Sequence, residues 1–76
     1  MRPLLLHLAR GLVREPGRVR VHEHALGEQT ILELEVSPAD RGRVIGREGR
    51  TAEALRVLLG ALARRRGQTL GLEILD

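Results

Sequence analysis

Two glycines three residues apart, Gly46 and Gly49, bracket Arg47 and Glu48 in the stretch RVIGREGRT, residues 43–51. One glycine is enough to turn a chain between two helices. A second one lets another molecule approach the backbone, because neither position carries a Cβ. Arg41, Arg43, Arg47 and Arg50 crowd the same stretch, and only Asp40 and Glu48 oppose them. Such a local excess of positive charge attracts an anion. Arg50 and Thr51 open the next apolar-periodic segment, so the loop leads into the start of a helix. That start offers unpaired N–H groups and the positive end of the helix dipole. Phosphate is the guest these groups suit.

Two common phosphate loops do not fit. A Walker A loop needs a lysine after its second glycine, and all 13 basic residues here are arginine. A dinucleotide fingerprint has three glycines and follows a strand, whereas GREG follows a helical segment. Catalysis finds little support. The chain has one serine and three threonines, and no converging acid–base set accompanies them. His22 and His24, two apart on a predicted strand, share a face, but no third metal ligand is evident. We therefore expect no catalytic residue, no metal and no cofactor. The absence of Phe, Tyr and Trp removes binders that stack bases on aromatic platforms.

The elements that must position this loop are legible from periodicity. Pro3 suits a first helical turn. Leu5, Leu8, Ala9 and Leu12 then form an amphipathic stripe that runs to Pro16-Gly17. Val19 and Val21 alternate with polar residues, as do Leu32, Leu34 and Val36, so two strands are predicted around a turn at Gly27. Ser37, Pro38 and Asp40 read as a helix start, with Ser37 as the cap and Asp40 as the acid of a capping box. Gly46 closes that short helix. Ala52, Leu55, Leu59, Leu62 and Ala63 form the core stripe of a longer one, ended by Arg64-Arg65-Arg66-Gly67. The three arginines complement the helix dipole there. Leu70, Leu72 and Ile74 mark a last strand. A right-handed crossover makes that strand parallel to the second. The expectation is one domain over residues 1–76: an α+β two-layer sandwich in the order α-β-β-α-α-β, with three helices on one face of a three-stranded mixed sheet.

A GxxG loop between two helices is the arrangement of the KH (K-homology) domain, whose loop clamps about four nucleotides of single strand. VIGREGRT resembles the KH consensus, and the element order is that of the type II KH fold. LVREPGRVRV and GRVIGREGRTAEALRVLL extend the resemblance over essentially the whole chain, to the KhpA family of small bacterial single-domain KH proteins. The resemblance implies a non-catalytic, cytoplasmic RNA-binding protein, an RNA chaperone or post-transcriptional regulator linked in some bacteria to cell shape. It implies Gly46, Arg47, Glu48 and Gly49 as the clamp and Arg50 and Thr51 as the phosphate-facing helix start. Arg43, Val44 and Ala52 would border the base groove. Its opposite wall would run from Ile31 to Glu33 and the Gly27 turn. The residues themselves reach only single-stranded nucleic acid; RNA over DNA comes from the resemblance.

Ala54, Val57, Leu58 and Ala61 form a second apolar flank on the longer helix. Leu58 either packs under the N-terminal helix or belongs to a dimer surface. The resemblance favours the dimer, since that family forms homodimers and also pairs with a larger KH-containing partner, KhpB. The alternative function is a homo- or heterodimerising module with residual nucleic-acid binding. A 76-residue chain has a modest core, which self-association would help. No cysteine is present, as suits a reducing compartment, and no apolar run is long enough for a membrane span.

Overall fold

The computed structural model describes residues 1–76. Its regular elements are α1 (Arg2–Leu12), β1 (Arg20–Leu26), β2 (Gln29–Glu35), α2 (Arg41–Ile45), α3 (Arg50–Arg65) and β3 (Thr69–Ile74). Short 3-10 turns occupy Pro16–Arg18, Pro38–Asp40 and Arg47–Gly49. The strand order is β1-β2-β3, with β1 antiparallel and β3 parallel to β2. This is the expected α+β sandwich of a KH-type fold.

Alternation decides the faces. Leu32 and Leu34 point under the helices and are fully buried, and Val21 and Leu72 lie opposite them in the register. Leu5 and Ala9 from α1, Val44 from α2, and Leu55 and Leu59 from α3 meet them in one core. Ile31, Glu33 and Glu35 therefore lie on the open face of the sheet. There His24 Nε2 sits 2.7 Å from Glu33 Oε1, and His22 Nε2 sits 3.3 Å from Glu35 Oε1. Gly27 takes a φ of 61° at the tip of the β1–β2 hairpin, and the carbonyl of Glu28 accepts the N–H of Thr69, tying the start of β3 to that turn. No helix is long and apolar enough to cross a membrane. No group of three or more His, Cys, Asp or Glu side chains is gathered to hold a metal ion.

Three details differ from the expectation. First, α1 stops at Leu12 rather than near Pro16. The N–H groups of Arg14 and Glu15, which a longer helix would use internally, donate instead to Asp40 Oδ1 and Oδ2, each at 3.1 Å. Second, the capping box does not form. Ser37 makes no side-chain cap, and the Asp40 carboxylate turns inward, where it is 2% exposed. Arg43 Nε reaches it at 3.3 Å. Third, Leu62 and Leu12 sit at the margin of the core, Leu12 exposed and Leu62 half-buried.

Asp40 thus joins the end of α1 to the start of α2. Replacing it with alanine leaves two part-buried N–H groups and one guanidinium without their acceptor. Asp40→Ala is expected to lower the unfolding free energy by about 3 kcal/mol. Urea denaturation followed by circular dichroism reads this, and an unchanged midpoint would show that the carboxylate is dispensable.

Candidate nucleic-acid interface

The site begins where α2 ends. Gly46 adopts φ 79°, ψ 172°, a combination essentially closed to residues with a Cβ. Its N–H closes α2 onto the carbonyl of Gly42 at 2.9 Å. A Cβ at Gly46 would also overlap Thr51 Oγ1 and lie 2.7 Å from Thr51 Cβ and 2.8 Å from Thr51 N. The first glycine is therefore fixed twice, by its dihedral angles and by Thr51 packed behind it. The family resemblance implies a phosphate-facing Thr51; the fold makes it the floor against which the loop rests.

Arg47, Glu48 and Gly49 form a single 3-10 turn, with the Gly49 N–H bonded to the Gly46 carbonyl at 3.2 Å. Glu48 holds φ 58° and Gly49 φ 75°, so with Gly46 three of the four loop residues have positive φ. Around a Cβ placed on Gly49 there is nothing within 4 Å. Gly49 is the N-cap of the 16-residue α3 and supplies no side-chain cap. The first N–H groups of α3 are thus left without a side-chain acceptor, beside open space.

The arginines divide. Arg43 is bound to buried Asp40. Arg50 lies 3.5 Å from Glu48, both side chains roughly three-quarters exposed, so solvent weakens the pair. That contact also turns the loop's one acid towards a cation. Arg47 belongs to neither pair. Arg47 and Arg50 are the exposed charges of the site, while Arg43 acts first as a structural anchor.

Loop residues 46–49 with Arg50 and Thr51 come together as one surface. Two groove assignments need correction. Val44 is 0% exposed in the core and Ala52 is 4% exposed, so neither side chain borders a groove. Helix phase explains this: Val44 faces the sheet, which leaves its neighbour Ile45 as the exposed apolar residue beside the loop. A five-residue helix is too short for periodicity to decide between them. The proposed opposite wall is also misplaced. Ile31 and Glu33 face away from the helices on the central strand, and Leu32 between them is core.

On α3, Val57 is 61% and Leu58 45% exposed, Ala54 is exposed and Ala61 half-buried. Val57 and Leu58 thus leave apolar surface open on α3, beside Ala54 and Ala61.

Comparison with known proteins adds the following. The family model described as "KhpA/KhpB, KH domain" matches residues 2–74. A protein named "RNA-binding protein KhpA" from Halalkalibacterium halodurans is 45% identical over 76 residues, covering 100% of both chains. The protein of that name from Leifsonia xyli subsp. xyli is 45% identical over 74 residues, 97% of this chain and 95% of its own. The one from Aquifex aeolicus is 44% identical over 68 residues, 90% and 86% of the two chains. No solved structure matches the chain.

The two glycines should differ in tolerance. Gly49→Ala meets only the left-handed penalty, about 1–2 kcal/mol. Gly46→Ala meets a harsher dihedral region and the overlap with Thr51 as well. Gly46→Ala is therefore expected to lower the denaturation midpoint further than Gly49→Ala. Equal midpoints would mean that Thr51 does not constrain the loop.

Proposed function

We propose that this chain, which belongs to the KhpA/KhpB family of KH domains, is a non-catalytic RNA-binding protein that clamps single-stranded RNA through Gly46-Arg47-Glu48-Gly49. The observation that carries the reading is the loop itself. Gly46 is pressed back on Thr51, so the remaining loop backbone and the uncapped start of α3 stand open to solvent. A phosphate there meets N–H groups, the positive helix end, and the guanidinium groups of Arg47 and Arg50. The relatives named above are RNA-binding proteins by name, which supports RNA as the nucleic acid.

Discrimination among bases is weak in this reading. Without aromatic residues, base contacts fall to aliphatic surface such as Ile45 and to hydrogen bonding at base edges. Weak, tolerant binding suits a chaperone or a post-transcriptional regulator acting on many RNAs. The outer side of α3, with Ala54, Val57, Leu58 and Ala61, serves as a homodimer surface, and the same face is available to a larger KH-containing chain of the KhpB kind. Two linked domains gain affinity by avidity.

The clamp is tested with Arg47→Asp/Glu48→Asp. Aspartate tolerates the left-handed position of residue 48 better than most residues, so the fold survives. Fluorescence anisotropy with a labelled, sequence-randomised single-stranded RNA should show binding by the wild type with a salt slope near about −1.4 per site, from two phosphate contacts. The variant should show none. Equal binding by both would remove the loop from the site.

The dimer is tested with Leu58→Asp. Light scattering should show the wild type at twice the chain mass and the variant at the chain mass, with α-helical circular dichroism retained. A folded, dimeric Leu58→Asp would place the interface elsewhere.

A further inference from the structure

The outer stripe of α3 has an internal symmetry. Ala54, Val57, Leu58 and Ala61 read small, large, large, small, with the same spacing in both directions. A surface that pairs with its own copy about a two-fold axis must be self-complementary. An axis between Val57 and Leu58 sets Ala54 level with the partner's Ala61 and places Val57 and Leu58 each beside its own copy, with the helices antiparallel. Charge supports this direction. Glu53 and Arg64 lie on the same flank of the stripe, near its opposite ends, and neither has an ion-pair partner within the chain. Antiparallel pairing brings Glu53 within about 3 Å, along the helix axis, of the level of the partner's Arg64, and it opposes the two helix dipoles. A parallel pairing would set Arg65 beside its own copy.

The same register has a consequence for the loop. Arg50 lies on this stripe one turn before Ala54, and Arg65 lies on it one turn after Ala61. Within one chain they are about 22 Å apart along the helix, too far to share a phosphate. Across the two-fold axis they come level. We propose that the RNA site is composite: the GxxG loop and Arg50 come from one protomer, and Arg65 comes from its partner. This rests on the clamp reading above. The close approach of two guanidinium groups is unfavourable on its own and favourable around an anion, so RNA binding and dimerisation strengthen each other. Each dimer then carries two such sites, one at each end of the paired helices.

Arg65→Glu separates the two effects. The substituted carboxylate faces the partner's Arg50, so the dimer should tighten while RNA binding weakens. Sedimentation equilibrium reads the first and anisotropy with the randomised RNA reads the second. With the partner's Arg65 as a third phosphate contact the wild-type salt slope becomes about −2.1 per site, in place of about −1.4 for a lone clamp, and Arg65→Glu returns it to about −1.4. Mixing then assigns the contact to its protomer. Arg65→Glu keeps an intact loop, and Arg47→Asp/Glu48→Asp keeps Arg65. After subunit exchange, a mixed dimer holds one complete site, so the mixture should bind RNA more tightly than either variant alone. RNA binding by Arg65→Glu equal to the wild type would overturn the proposal. So would a mixture no better than Arg65→Glu alone, which would put Arg65 in a site of its own chain. A weaker dimer for Arg65→Glu would reject the antiparallel register. Undiminished binding by Arg47→Asp/Glu48→Asp would instead reject the clamp itself.

Discussion

A single buried carboxylate organises the loop-bearing side of this domain. Asp40 takes two backbone N–H groups from residues 14 and 15 and a guanidinium from Arg43. A lone charge in that position would be strongly disfavoured, and three donors offset its desolvation. The arrangement fixes where α1 must stop and where α2 must start. It also sets the direction in which α2 runs towards the glycine loop. Because α2 has only five residues, it has little intrinsic stability of its own. Its placement comes from Asp40 at one end, Val44 in the core, and Gly46 on Thr51 at the other.

From that anchor the loop acquires its shape by exclusion. Gly46 has no room for a side chain, and its dihedral angles admit none. The chain then makes one tight turn, and Glu48 is carried into left-handed backbone that glutamate does not favour. Strain of this kind persists where the surroundings enforce it. The return for it is an open helix start: a loop residue with a preferred conformation and a capping side chain would occupy the N–H groups that this loop leaves free.

Periodicity revealed the element order, the sheet topology and the core stripes of β2 and α3, because those segments are long enough to display a period. GxxG was legible as a loop because glycine and arginine are so out of place between two apolar runs. What escaped was everything settled by contacts distant in sequence. Asp40 looks like a local helix cap, and nothing near it indicates that its partners lie 25 and 26 residues away. Val44 and Ile45 are adjacent and both apolar, and only the docking of α2 on the sheet decides which is core. The family resemblance implies Ile31 and Glu33 as a groove wall, whereas alternation on the central strand β2 turns them to the open face.

The arginines show how one residue type is spent on different tasks. Arg43 completes a buried ion pair, Arg56 donates to the Leu72 carbonyl on β3, and Arg20 bonds to the carbonyls of Gly17 and Val19. These guanidinium groups satisfy fixed oxygen atoms and have little left for a ligand. Arg47 is held by no ion pair, and Arg50 is held only by an exposed carboxylate that phosphate can displace. A net charge of +3 therefore understates the attraction at the loop and overstates it elsewhere. Two cations and one helix start are a small contact set for a polyanion. A domain of this size has few ways to enlarge it alone, so the most direct route to a stronger grip is a second copy placed where its charges count.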